Sequence, residues 1–173
     1  MSLTIEDSNI TREKLLEVTD FSDETKKNIE KSDILVVPRF QFRESNSRVF
    51  YANTPDFYKL AQNELRNGTT IALCENQGEE KTLTLRSGEI WIPILLISID
   101  PIKDVLLPSL ISLVTNYISS KFSRETKKDS LKVHLEIIVE DKNTKKSKAL
   151  KYEGPVSGLK DLNINAKSLF EER

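Results

Sequence analysis

The sequence predicts an α+β fold: a mainly antiparallel sheet, a capped helix at about 55–66, a long apolar helix at about 103–122 and a C-terminal β-hairpin. Three observations carry this. Leu131, Val133, Leu135, Ile137 and Val139 alternate with Lys132, His134 and Glu136, the period of a half-buried strand. Thr54-Pro55-Asp56 reads as a helix start: threonine can cap, proline fits the first turn and aspartate complements the helix dipole. Val105, Leu106, Leu110, Ile111, Leu113, Val114, Tyr117, Ile118 and Phe122 recur at helical spacing over more than one helix face.

Residues 1–31 read as a polar, acidic, helical N-terminal arm, and residues 32–173 as a single α+β domain that includes the hairpin at 131–153. In the arm, Ser22 before Asp23 and Glu24 marks a helix start, because a hydroxyl caps free N–H groups and acids favour the positive helix end. Ile34–Val37, ended by Pro38, is a buried strand. Phe40 and Phe42, a polar turn at 45–47, and Val49–Tyr51 form a hairpin. Phe57, Leu60, Ala61 and Leu65 extend the helix that begins near Pro55, and Asn67-Gly68 stops it. Thr70–Cys74 is a strand, Asn76–Gly78 a turn and Thr82–Leu85 its return.

Ile90–Ile99 is apolar enough for a central strand. Pro93 cannot donate to a ladder, so the strand either starts after it or bulges there. After the long helix, the strand at 131–139 turns through 141–147 and returns as Ala149–Tyr152, ending at Gly154-Pro155. Leu159, Leu162, Leu169 and Phe170 dock the tail.

Balanced charge, 26 Lys+Arg against 27 Asp+Glu, argues against whole-molecule attraction to DNA or anionic membrane. One cysteine, Cys74, excludes an internal disulfide framework and a multi-cysteine zinc site. Acidic and basic residues and three prolines interrupt the apolar block at 90–122, so no transmembrane segment is expected. The N-terminus lacks a secretory pattern, which points to the cytoplasm. Phosphate-loop and dinucleotide signatures do not occur, and no cofactor or metal is expected.

The chemistry-bearing residues are sparse. His134 is the single histidine, and the spacing gives no support to a dyad with Cys74. The 131–139 strand ends in Glu140-Asp141-Lys142, an acid-x-Lys, and Pro55-Asp56 lies upstream. That arrangement resembles the PD-(D/E)xK nucleases. The resemblance implies an alternative function, metal-dependent nuclease or phosphodiesterase, with Asp56, Glu140 and Lys142 as its site. It covers a handful of residues, and an ordinary helix start and a charged turn explain them as well. Lys142, Lys145, Lys146, Lys148 and Lys151 make the hairpin basic. They suit a soluble edge first, and second either an acidic protein partner or weak nonspecific binding to nucleic acid or anionic lipid.

The leading expectation is a non-catalytic interaction or accessory subunit. Leu110, Ile111, Val114, Tyr117 and Ile118 span a broad helical arc, so a protein partner or a second copy is expected to cover part of it.

Overall fold

The computed structural model describes residues 2–40, 48–65, 68–85, 88–100, 106–122, 131–162 and 166–170, with residues 166 and 167 by backbone alone. Along the chain these form β1 (Ser2–Ser8), α1 (Arg12–Leu16), α2 (Asp23–Lys31), β2 (Ile34–Val37), β3 (Phe50–Tyr51), α3 (Thr54–Glu64), β4 (Ile71–Leu73) and β5 (Thr82–Leu83). The second half holds β6 (Ile90–Trp91), β7 (Ile94–Ile99), α4 (Leu106–Lys121), β8 (Lys132–Asp141), β9 (Ser147–Pro155), α5 (Val156–Lys160) and α6 (Ala166–Leu169).

Seven strands make one mixed sheet in the order β1-β9-β8-β7-β2-β4, with β6 also pairing β8. The pairs β1–β9, β8–β9 and β2–β7 are antiparallel, and β7–β8, β6–β8 and β2–β4 are parallel. The parallel β7–β8 pair follows from the intervening α4, since a strand returning through a helix enters the sheet in the same direction. The C-terminal hairpin therefore continues the main sheet instead of standing apart from it.

Pro93 marks a bulge. Trp91 pairs with His134 and Leu95 with Ile137, so four steps along one strand match three along β8. The extra residue reverses the alternation. Ile90 and Ile92 share the core with Leu95, Ile97 and Ile99, while Ile94 and Leu96 face the other side.

Each face of the sheet has its own core. On one, α3, α4 and α5 cover Ile34, Val36, Leu95, Ile97, Ile137 and Val139, and Phe57 meets Tyr117 edge-on at 5.3 Å. On the other, α1 and α2 bring Leu15 and Ile29 against Leu35, Val37, Leu96 and Ile138. Ser22 caps α2, its Oγ accepting from Thr25 N at 3.1 Å.

Three local expectations change. Residues 2–8, read as part of a helical arm, form an edge strand paired with β9. The strand at 82–83 pairs with β3, not with β4, through Phe50 N donating to Lys81 O and Ala52 N to Leu83 O. Asn53, not Thr54, holds the cap position of α3, and its side chain makes no cap bond. Phe42 and the 45–47 turn, Asn67 and the start of the long helix before Leu106 lie outside the described residues; Arg39 and Val49 form the antiparallel bridge that remains of the expected hairpin.

Thr54 Oγ1 is buried with no hydrogen-bond partner among the described residues. Thr54→Val removes an unsatisfied hydroxyl at nearly constant shape and is expected to stabilise the protein by about 1 kcal/mol in urea unfolding. A loss of stability would mean that the hydroxyl is bonded.

Candidate functional site

Glu140 ends an alternation on β8 in which Val139 faces the α4 core, so its carboxylate points to the opposite side, toward α1. Both of its oxygens are engaged: Arg12 N donates to Oε1 at 3.1 Å and Ser98 Oγ to Oε2 at 2.8 Å. The Arg12 guanidinium bonds Ser98 Oγ through Nε at 3.2 Å and the carbonyls of Ile29 and Ser32 through Nη1. Burial lowers the Arg12 pKa, opposed by the charge of Glu140. The cluster is a structural clip between α1, α2, β7 and β8.

Lys142 borders the same recess of about 580 Å³. Asp56 does not: it sits on α3, on the other side of the sheet, where Lys121 Nζ donates to its Oδ2 at 2.7 Å. The structure thus brings together two of the three residues of the nuclease-like set and separates the third. Among the described residues, no group of three His, Cys, Asp or Glu side chains could hold a metal ion.

His134 and Cys74 are also apart. Cys74 follows β4, three strand positions from β8, which is about 14 Å at ordinary strand spacing. Burial pushes its thiol up to about 12, so it stays protonated and unreactive. His134 stacks on Trp91 with ring centroids 3.7 Å apart, because the two are register partners. Its Nε2 lies within hydrogen-bond distance of Glu89 Oε2, at 2.6 Å.

This pair borders an open, polar part of the sheet, a recess of about 600 Å³ that also takes in Tyr51, Arg39, Glu136, Lys151 and Glu153. The pKa of Glu136 is raised, chiefly by burial, against the opposing charges of Lys151 and Arg39. An acid with a raised folded-state pKa ionises first in the unfolded chain, so stability falls as pH rises through the carboxylate range. Glu136→Gln is therefore expected to stabilise the protein at neutral pH and to change nothing below that range, as read by denaturant unfolding at both conditions. Equal effects at both would contradict the burial argument.

The five apolar residues expected at an interface, Leu110, Ile111, Val114, Tyr117 and Ile118, all lie within the chain's own core; the most exposed, Ile111, reaches 9%. Leu159 and Leu169 are buried in the same cluster, with Leu162 and Phe170 packed at its margin. The exposed residues of α4 are Pro108, Ser109, Ser112, Asn116, Ser120 and Lys121. Of the basic hairpin, Lys142, Lys145 and Lys146 are exposed in the turn, whereas Lys148 bonds Asp7 and Lys151 pairs with Glu6.

A cleft of about 850 Å³, which the sequence did not signal, runs beside β4. Its formation follows from the chain path after β4, where Asn76–Gly78 turns the chain away and β5 joins β3, so β4 pairs with β2 alone among the described strands. Ile34 N donates to Thr70 O and Cys74 N to Val36 O, so the backbone groups of Thr70, Ala72 and Cys74 serve β2. By alternation, those of Ile71 and Leu73 point into the cleft. Among the described residues, the Tyr58 hydroxyl approaches them, at 3.4 Å from Ile71 O.

The cleft walls are Phe50, Pro55 and Tyr58 on one side and Asn28 and Lys31 on the other, with Gln77 and Glu80 at the rim. One end is rigid. Arg48 bonds Glu75 through Nε and Nη2 and Asp20 through Nη1 and Nη2, all at 2.8 Å, while lying over Phe21 at 4.7 Å. These paired carboxylates raise the Arg48 pKa, and the buried Glu75 is fully matched.

Among the described residues, no helix is long and apolar enough to cross a membrane. Comparison with protein-family models, with curated proteins and with solved structures finds no match.

Proposed function

We propose that the protein is a non-catalytic interaction or accessory subunit that binds an extended segment of another protein along the free edge of β4. The observation that carries this reading is the cleft itself, into which the N–H and C=O groups of Ile71 and Leu73 point beside the apolar side chains of Phe50 and Tyr58. An extended segment laid there adds a strand: its main chain pairs with Ile71 and Leu73, and alternate side chains enter the apolar recess. Gln77 and the acidic Glu80 at the rim favour polar or basic residues on the alternate positions. The lone, buried Cys74 fits a reducing compartment, and the proposed location is the cytoplasm.

The nuclease-like reading is not carried forward, since Arg12 and Ser98 occupy the Glu140 carboxylate and Asp56 lies across the sheet. Two of the five hairpin lysines are engaged by acids of β1, which leaves a solubilising surface as the simpler role of the rest.

Selection from a displayed library of unstructured peptides tests the proposal. Selected ligands are expected to lose binding when one alternate set of their amides is N-methylated and to keep it when the other set is. Gln77→Trp, which places bulk at the exposed rim, is expected to abolish binding with folding intact. Failure to select any peptide, or ligands indifferent to methylation at every amide, would sink the reading.

A further inference from the structure

We infer that β1, at the far edge of the sheet from β4, is a self-association edge: two copies pair their β1 strands antiparallel about a two-fold axis at Thr4. Among the described strands β1 pairs with β9 alone, and every residue from Ser2 to Asp7 is exposed. Leu3 at 40% and Ile5 at 48% are the exposed large hydrophobics of the described chain. Both stand on one face, opposite Tyr152 and Leu150 of β9, which are buried. The apolar surface of the sheet thus runs outward into β1 and ends there uncovered, the situation edge strands ordinarily avoid.

The strand is complementary to itself in one register. A two-fold axis at Thr4 sets Leu3 opposite Ile5 of the second copy, Thr4 opposite Thr4 and Ser2 opposite Glu6, with apolar facing apolar and no like charges opposed. An axis at Ile5 would set Asp7 opposite Leu3, and a shift by a single residue would place apolar side chains on opposite faces. The two acids that would blunt the edge are matched within each copy: Lys151 pairs with Glu6 and Lys148 bonds Asp7. A seven-residue strand is about 24 Å long, and such an edge buries less than the roughly 1,200 Å² of a standard stable interface. The dimer is therefore reversible and concentration-dependent. Because β4 is untouched, it carries two clefts facing outward from one continuous sheet, an arrangement suited to bivalent binding.

Sedimentation velocity of the full chain over a concentration series tests the inference, with no dependence on whether the β4 cleft binds peptide. A monomer–dimer equilibrium is expected. Ile5→Lys, at an exposed position that leaves the fold intact by circular dichroism, is expected to weaken it at least about tenfold. Thr4→Cys is expected to form a covalent dimer on mild oxidation, because directly opposed residues lie about 4.5–5.5 Å apart at Cβ. The buried Cys74 does not compete in that reaction. A wild-type chain monomeric at every concentration overturns the inference. So does an Ile5→Lys variant that dimerises as well as wild type, or a Thr4→Cys chain that dimerises without crosslinking.

Discussion

Arg12→Met is expected to destabilise the protein by about 1–3 kcal/mol, the usual cost of leaving buried polar groups without their charged hydrogen-bond donor. Glu140 is 4% exposed, and the Arg12 side chain is the cation its carboxylate faces across Ser98. Methionine fills similar volume but leaves the carboxylate with a hydroxyl and one backbone N–H. It also strips the carbonyls of Ile29 and Ser32 of their guanidinium donor. If the cost comes from the stranded charge, Arg12→Met combined with Glu140→Gln recovers much of it, since a neutral amide is far cheaper to bury. Urea unfolding of the two single variants and the double variant measures this. A loss below about 1 kcal/mol for Arg12→Met would place the pair with ordinary surface ion pairs and remove it as the anchor of α1.

Leu135→Asp is expected to abolish the folded state. Leu135 is buried on β8, opposite Tyr152 and between Val133 and Ile137 on the face covered by the α4 core. An aspartate there meets no cation within that cluster, whose polar atoms are tyrosine hydroxyls, and burying an unpaired charge costs several kcal/mol. That is a large part of the roughly 5–15 kcal/mol by which a domain is stable. Leu135→Met, close in volume, is expected to cost less than about 1.5 kcal/mol and serves as the control. Circular dichroism with thermal melting reads both. An aspartate variant that melts at the wild-type temperature would contradict the core assignment of β8.

These two sites differ in how far the sequence disclosed them. Leu135 was legible, because the alternation of apolar with polar residues from Leu131 to Ile137 needs no knowledge of distant chain. The capped start of α2 and the interruption at Pro93 were legible for the same local reason. Arg12 was not: its partners lie on β7, β8 and α2, and only the folded sheet brings them together. β1 was missed because its partner β9 begins at Ser147, across almost the whole chain. The apolar arc of α4 pointed to a partner or a second copy as its cover. What supplies that cover is the chain's own sheet, α3, α5 and C-terminal segment, which a helix-face count cannot reveal. The β4 cleft left no motif, since it arises from a pairing that does not form, β5 having joined β3.

Amide-resolved hydrogen exchange of the free protein and of its complex with a selected peptide tests the central claim most directly. In the free protein, the Ile71 and Leu73 amides are expected to exchange quickly and Cys74, which donates to Val36 O, slowly. Bound peptide is expected to protect Ile71 and Leu73 and to leave the β1 edge unchanged. Protection that appears elsewhere, with Ile71 and Leu73 still exchanging as in the free chain, would contradict strand addition at β4.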